Sequence, residues 1–248
     1  MSSLKKTARV AGLLYLIIVF TALYAHVYVP LQIFVRGDAI ATTNNILANE
    51  FLFRTCIVVS LIGATIFLVL VLTLYRLLKE VNNHLTRLMV ALVGVQIPVA
   101  FVLAAFKLTS LMILKSDVSN TLSGQFPDLA MLFLEINGYG NATLALFGGL
   151  WLIPFGLLVY KTHFIPRIFG VLLIIAGTGN TFGSLISILS PDYSPSQVLP
   201  FVFFGLGEIS MMLWLLIKGV KDHVSIEVMS ETKTTIRPTA IKMKEYVE

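Results

Sequence analysis

Charged side chains are scarce in this 248-residue sequence, where only 12% of residues are charged and 57% are hydrophobic. Soluble domains carry about 25% charged residues, so a chain this poor in charge cannot cover itself with a polar surface. The composition therefore excludes a water-soluble globular protein and predicts that lipid is the solvent. The formal charge of +5 does not indicate nucleic-acid binding, because no platform of aromatic and basic residues accompanies it.

Cysteine and histidine are also rare. The single cysteine, Cys56, excludes an intramolecular disulfide, and the four histidines form no HExxH pair or other set with metal-ligand spacing. The sequence contains no glycine-rich phosphate loop and no visible pairing of a serine nucleophile with a histidine. It therefore predicts no metal, no cofactor and no catalytic residue.

Long hydrophobic runs are what the sequence has in abundance. Six apolar segments are interpreted as helices, because a segment in lipid must satisfy its own backbone hydrogen bonds. The predicted spans are approximately 10–29, 52–75, 88–112, 130–159, 167–189 and 198–217. Residues 1–218 are thus predicted to form an all-α domain, a polytopic membrane protein built as a six-transmembrane-helix bundle. Residues 219–248 have mixed charge and are predicted to form a flexible cytoplasmic tail.

Basic residues divide unevenly between the two sides of this map. With the N-terminus in the cytoplasm, the inner segments hold eight Lys and Arg residues and the outer segments hold four. The inner residues are Lys5, Lys6, Arg9, Arg76, Lys79, Arg87, Lys161 and Arg167, and the outer ones are Arg36, Arg54, Lys107 and Lys115. Because Lys and Arg favour cytoplasmic loops, both termini are predicted to be cytoplasmic. The first span could also be a signal peptide, but its apolar run continues past a poor cleavage site and favours a retained helix.

Shorter signals predict one surface helix and two kinks. Asp38 can cap a helix over residues 39–48 by accepting hydrogen bonds from its free N–H groups. Pro98 and Pro154 should bend the third and fourth spans, since proline cannot donate the backbone hydrogen bond of a continuing helix. Asn141, Ala145 and Gly149 follow one another at four-residue spacing in the fourth span. This stripe of small residues should let another helix approach the span closely.

The most informative polar side chains lie within the spans. Glu208 lies near the middle of the sixth span, where a carboxylate costs about 2.5–3.5 kcal/mol on insertion scales. The remaining candidates lie in the outer halves of the other spans and are Arg54, Lys107, Glu135, Asn141 and Asn180. Gln96 should share a helix face with Lys107, because eleven residues are about three helical turns.

These depths predict an outward-facing polar pocket above an apolar floor. Arg54 or Lys107 would be the cationic complement of Glu208, and the asparagines would orient a ligand. A structural ion pair that only fixes helix packing is the alternative. The two cations could also extend to the membrane surface and take no part in the pocket.

Three motifs follow one another along the chain. The first is Gly37-Asp38, Asn44-Asn45-Ile46 and Leu52-Phe53-Arg54, the second is Phe164-Ile-Pro-Arg-Ile-Phe-Gly170, and the third is Gly207-Glu208, Leu213-Trp214-Leu215 and Gly219. With these motifs, residues 7–220 resemble the bacterial integral-membrane family catalogued as domain of unknown function 4386. The resemblance implies a six-helix bundle in the bacterial cytoplasmic (inner) membrane and supplies no activity, cofactor or substrate.

The leading functional interpretation is a non-enzymatic membrane protein that binds a ligand around Glu208. The ligand would be a small molecule or an amphipathic lipid. A secondary transporter, with proton coupling through the carboxylate, and a structural or accessory subunit are the alternatives. An intramembrane enzyme acting on lipid would need a nucleophile or metal constellation, which the sequence does not offer. The expected partners are the lipid bilayer and the ligand, and oligomer formation through the face of Gly179 and Gly183 remains open.

Overall fold

The computed structural model describes residues 3–115, 126–189 and 205–220, and all the regular elements among them are helical. The helices are α1 (Ser3–Leu23), α2 (Val29–Ile33), α3 (Ala39–Ala48), α4 (Glu50–Leu78), α5 (Asn83–Lys115), α6 (Phe126–Leu150), α7 (Leu152–Lys161), α8 (Arg167–Leu189) and α9 (Ser210–Ile217). A π-helical turn at Tyr24–Tyr28 joins α1 to α2, and a second at Gly205–Ile209 leads into α9. The predicted all-α class is confirmed.

Within these ranges, five helical segments are long and apolar enough to cross a membrane. They are Leu4–Ile33, Glu50–Leu78, Asn83–Lys115, Pro127–Lys161 and Arg167–Leu189, and they contain the first five predicted spans. The predicted sixth span is represented by the shorter apolar helix Gly207–Ile217. Its first residues, 198–204, and the predicted tail beyond residue 220 lie outside the described residues, so the count of six spans stays a prediction.

The outer surface of the bundle is apolar. Phe51 is 81% exposed and Leu189 is 80% exposed, and large aliphatic and aromatic side chains are exposed along all five long helical segments. Exposed apolar area of this extent is unfavourable in water and neutral in hydrocarbon. The structure therefore agrees with the composition in requiring lipid around the helices.

The described helices pack in a ring. Helix α1 packs on α4, α4 on α5, α5 on α6, and α6 on α8. The turn at Gly205–Ile209 packs on α8 and α9 packs on α1, which closes the ring. Helix α7 continues the direction of the chain beyond α6 and packs on both α5 and α8. The described helices therefore surround a common interior.

Local sequence signals place several helix boundaries. The Asp38 carboxylate accepts a hydrogen bond of 2.8 Å from the Ala41 backbone N–H, so the predicted cap and the helix Ala39–Ala48 are confirmed. Helix α5 runs through Pro98 without interruption. The predicted span 130–159 is divided into α6 and α7 at Trp151. Pro154 explains the division, because it has no N–H to donate to the carbonyl of Leu150.

Glycines bring α8 very close to α6 and α7. A Cβ atom on Gly149 would lie 2.7 Å from the Gly177 carbonyl oxygen, and one on Gly156 would lie 2.7 Å from the Gly170 carbonyl oxygen. Only hydrogen fits in such spaces, so these glycines allow backbone-to-backbone packing of the kind that joins helices in lipid. The close approach predicted at Gly149 is confirmed.

Two apolar clusters fill the two ends of the ring. The larger cluster surrounds Leu74, Phe155 and Leu215 at the end where the inner basic residues lie. The smaller cluster surrounds Ile33, Ile46 and Leu111, beside α3. The larger one is the apolar floor that the sequence predicts. The candidate site lies between the clusters, where polar side chains such as Gln96, Asn137 and Glu208 are buried among apolar ones.

Candidate functional site

Two adjoining cavities occupy the middle of the bundle. One has a volume of about 320 Å³ and the other of about 360 Å³. Their walls have four residues in common, namely Ala22, His26, Asn180 and Glu208. Volumes of this size are in the range of small-molecule sites in proteins.

The two cavities differ in their chemistry. The first, called here the polar cavity, has ten polar or charged side chains in its wall: Tyr15, Thr21, His26, Ser60, Gln96, Lys107, Asn137, Asn141, Asn180 and Glu208. The second, called here the apolar cavity, is lined by Val19, Leu23, Val27, Ala145, Leu152 and Ala176 in addition to the shared residues. A single molecule that enters both would meet polar groups at one end and hydrocarbon at the other.

Glu208 lies where the two cavities meet. Its side chain is buried, and its Oε2 atom accepts a hydrogen bond from the hydroxyl of Tyr15, which is also buried. No cation within the described ranges forms an ion pair with Glu208. The carboxyl group is therefore stabilised by a neutral donor and by the polar cavity, whereas the sequence predicted an arginine or lysine.

Close helix packing fixes the position of Glu208. A Cβ atom on Gly207 would lie 2.8 Å from the Ala176 Cβ atom, so this residue is held against α8. More than two turns further on, α9 is held against α1, because a Cβ atom on Gly12 would lie 2.5 Å from the Leu216 backbone nitrogen. The Glu208 segment is thus clamped between α1 and α8, which brings its carboxyl group to Tyr15.

Lys107 lies towards the other end of the polar cavity. Its Nζ atom is 3.9 Å from the Cys56 sulfur, and the Cys56 thiol donates to the Ala25 carbonyl oxygen at 3.4 Å. The lysine side chain is therefore turned into the bundle. No carboxylate in the part of the chain that the structure describes pairs with it.

Asparagines form one side of the polar cavity. Asn137 donates to the Leu103 carbonyl oxygen at 2.6 Å, and Asn141 donates to the Asn137 side-chain oxygen at 3.1 Å and to its backbone oxygen at 2.7 Å. These bonds fix the two amides between α5 and α6. Asn180 reaches the same cavity from α8. Gln96 lines it as well, so the face that Gln96 was predicted to share with Lys107 is confirmed.

The structure brings four of the six predicted site residues to the polar cavity, namely Glu208, Lys107, Asn141 and Asn180. The other two lie elsewhere. Arg54 is exposed and donates from Nε to Glu50 at 2.7 Å, and Lys115 binds the same carboxylate at 2.8 Å. Glu135 is exposed on α6, two residues before Asn137. Two residues turn a helix by about 200°, so Glu135 and Asn137 lie on opposite faces.

Sequence reasoning did not select five polar residues of the wall, namely Tyr15, Thr21, His26, Ser60 and Asn137. Tyr15 lies in a continuous apolar run and its partner is 193 positions away, so no local pattern could find it. Asn137 had a usable signal, since it lies four residues before Asn141 and shares its helix face. His26 lies in the first π-helical turn, as Glu208 lies in the second. Such turns in longer helices are frequent at functional sites.

The side chains of the wall set the chemistry that is available in the cavity. Among the described residues no group of three or more metal-ligating side chains occurs. The wall offers an ammonium, a carboxyl, an imidazole and several amides, which can bind a polar head group by charge and hydrogen bonding. These features define the class of protein as an all-α, membrane-type helical bundle that contains an internal polar cavity.

The chain belongs to the family described as Domain of unknown function (DUF4386), whose model matches residues 10–219. The resemblance carried by the three sequence motifs is thereby confirmed. No match was found among curated proteins or among solved structures.

Proposed function

We propose that this protein binds an amphipathic small molecule inside the membrane. The head group would occupy the polar cavity, and the hydrocarbon part would occupy the apolar one. The observation that carries the proposal is the shared wall at Asn180 and Glu208, which joins two cavities of opposite chemistry. Sites for small molecules combine apolar lining with a few convergent polar groups in this way.

Glu208 is expected to bind the ligand at the point where its head group joins its hydrocarbon part. The Tyr15 hydroxyl occupies Oε2, and no described group donates to Oε1. Glu208 lines both cavities, so a ligand in either cavity can donate to this second oxygen. A hydroxyl or amine of the ligand would supply that donor, which gives the buried acid a role in recognition as well as in packing.

The proposal places the protein in the bacterial cytoplasmic membrane with both termini in the cytoplasm. The larger apolar cluster contains Ala8, Leu78, Ile165 and Val220, so the basic segments beside these residues lie at one end of the bundle. Basic residues favour the cytoplasmic side. A fluorescent protein fused to the C-terminus should fluoresce in cells, and alkaline phosphatase at the same position should be inactive. The opposite pair of results would reject this orientation.

Carriage of the ligand across the membrane is the second candidate. It is favoured by the two π-helical turns, because carriers often bind at interrupted helices near the midplane. Uptake of a labelled amphiphile into proteoliposomes would support a carrier. Saturable binding without uptake would support a binding protein.

Filling the shared wall is the direct test of the proposal. Ala22 lines both cavities, so Ala22→Phe should occupy the space that the ligand needs. Ala91→Phe is the matched control, because Ala91 is exposed on α5 and lines neither cavity. The probe is a monoacylglycerol with a fluorescent label on its chain, added to protein in phosphatidylcholine nanodiscs.

Wild type and Ala91→Phe should show saturable fluorescence above that of nanodiscs without protein, and Ala22→Phe should lose at least about 90% of it. The thermal unfolding midpoints of the three proteins show whether each is folded. Equal saturable binding by folded Ala22→Phe and Ala91→Phe would reject the cavity as the binding site.

A further inference from the structure

Lys107 is a cation inside the bundle whose countercharge is not provided by the described protein. Its Nζ atom lies beside the Cys56 sulfur, and it lines the polar cavity. The three ion pairs among the described residues do not include Lys107, and in two of them the acid is Glu50. Lys107 is half-buried, and an ammonium that is partly withdrawn from water is stabilised by a countercharge, so the position suits an anion.

Glu208 is too far along the bundle to serve as that anion. The Cys56 thiol places the lysine ammonium at the level of the Ala25 carbonyl, whereas Glu208 is bound by Tyr15. Ala25 and Tyr15 are ten residues apart on one helical segment, which is about 15 Å at 1.5 Å per residue. The Tyr15 side chain also points towards the start of its helix, which increases this separation.

The surroundings of Lys107 suit a small oxyanion. The Asn180 side chain lies in the wall of the same cavity, and an asparagine amide can donate to anionic oxygens. The Asn137 amide donates one N–H to the Leu103 carbonyl, which leaves its second N–H for an anion. The His26 ring is also in that wall. Among the residues that the structure describes, Glu208 is the one acidic side chain that lines either cavity.

We infer that the ligand is an amphiphile with an anionic head group, a carboxylate or a phosphate, and that the Lys107 ammonium binds this group. The inference rests on the proposed binding of an amphiphile and adds the charge of the head. The tail of the bound molecule extends past Glu208 and Asn180 into the apolar cavity. Charge-assisted hydrogen bonds of an ammonium to such oxyanions are about twice as strong as neutral ones.

A series of four probes tests the inference. The probes share one fluorescently labelled hydrocarbon chain and differ in the head group. The probes are the fatty acid, the alkyl phosphate, the monoacylglycerol and the alkyl trimethylammonium, each titrated into wild-type protein in phosphatidylcholine nanodiscs. Nanodiscs without protein give the partitioning of each probe. We expect the two anionic probes to bind about tenfold more tightly than the neutral one, and the cationic probe to bind most weakly.

Variants of Lys107 assign the preference to this residue. Lys107→Met should bring the anionic probes to the affinity of the neutral probe and leave the neutral probe within about twofold of wild type. Lys107→Arg should keep the preference for anions. If Lys107→Met does not fold, the affinities of Lys107→Gln and of wild type for the same four probes provide the same comparison.

The outcomes separate this inference from the proposed function. Equal affinities for all four head groups would overturn the anionic head while leaving amphiphile binding intact. Absence of saturable binding by every probe would overturn both. Inorganic phosphate at millimolar concentration should not displace the alkyl phosphate, because the chain supplies part of the affinity. Displacement by inorganic phosphate would show a site for soluble anions and overturn the assignment to an amphiphile.

Discussion

The hydroxyl of Tyr15 donates a hydrogen bond to the carboxyl group of Glu208. The two residues are 193 positions apart, and the bond joins α1 to the π-helical turn before α9. It ties the first helix of the ring to the last described one, and it lies in the wall of the polar cavity. This contact therefore serves both the closure of the bundle and the proposed site.

A double-mutant cycle measures the strength of this contact. Tyr15→Phe and Glu208→Met each remove one partner, and the double variant removes both. The coupling energy should be about 0.6–1.7 kcal/mol, the range found for hydrogen bonds between membrane helices. The measurement is equilibrium unfolding in mixed micelles. Tyr139→Phe is the control, because Tyr139 is 68% exposed and should change stability very little. Strictly additive effects of the two substitutions would show that the pair does not interact.

The close approach of α7 and α8 predicts a large effect of one added methyl group. In Gly170→Ala the new Cβ atom would lie 2.6 Å from the Tyr160 backbone nitrogen. Because backbone must move to admit it, the variant should lose about 1–3 kcal/mol of unfolding free energy.

Gly138→Ala is the matched comparison, since no atom lies within 4 Å of the position of its Cβ. This variant should be unchanged or should gain up to about 1 kcal/mol, because alanine favours a helix over glycine. Similar midpoints for the two variants would contradict the packing described for α7 and α8.

The position of Arg54 predicts that it takes no part in binding. Its guanidinium pairs with Glu50 on the exposed surface, outside both cavities. Arg54→Gln should leave the affinity of the fluorescent fatty acid within about twofold of wild type, and should change stability by about 1 kcal/mol or less. The titrations are run beside those of Lys107→Met. A tenfold loss of affinity in Arg54→Gln would contradict this prediction and would show that Arg54 binds the anion.

The cap at Asp38 predicts a local effect on α3. Asp38→Ala removes the acceptor of the Ala41 N–H and should cost about 0.5–2 kcal/mol. Asp38→Asn keeps a side-chain oxygen and should lose much less. Hydrogen exchange followed by mass spectrometry should show faster exchange over residues 39–48 in Asp38→Ala alone. Unchanged exchange in that segment would mean that the cap does not stabilise the helix.

Features fixed by neighbouring residues could be predicted from the sequence. The helix Ala39–Ala48 follows from a side chain that bonds the first turn, and α8 begins at the predicted residue 167. The division near Pro154 follows from a missing N–H. In each case the cause lies within a few residues of its effect, so composition and spacing were sufficient.

Features fixed by distant residues could be predicted only in part. Depth in a span placed Glu208 near the middle and Lys107, Asn141 and Asn180 in the outer halves, and the structure places all four in the wall of one cavity. Depth does not give the direction in which a side chain points. Glu135 was therefore selected although it lies on the face opposite to Asn137, and the partnership of Tyr15 with Glu208 was not foreseen.

Mapping a photoreactive fatty acid on the protein tests the central claim most directly. The probe carries a diazirine at the middle of its chain and is irradiated with wild-type protein in phosphatidylcholine nanodiscs, and the labelled peptides are identified by mass spectrometry. Adducts should concentrate on the apolar cavity, at Val19, Val27 and Ala145, and excess unlabelled fatty acid should remove them. They should also be lost in Ala22→Phe and kept in Ala91→Phe. Adducts spread over exposed positions such as Val58 and Val102, with no competition, would contradict a ligand held inside the bundle.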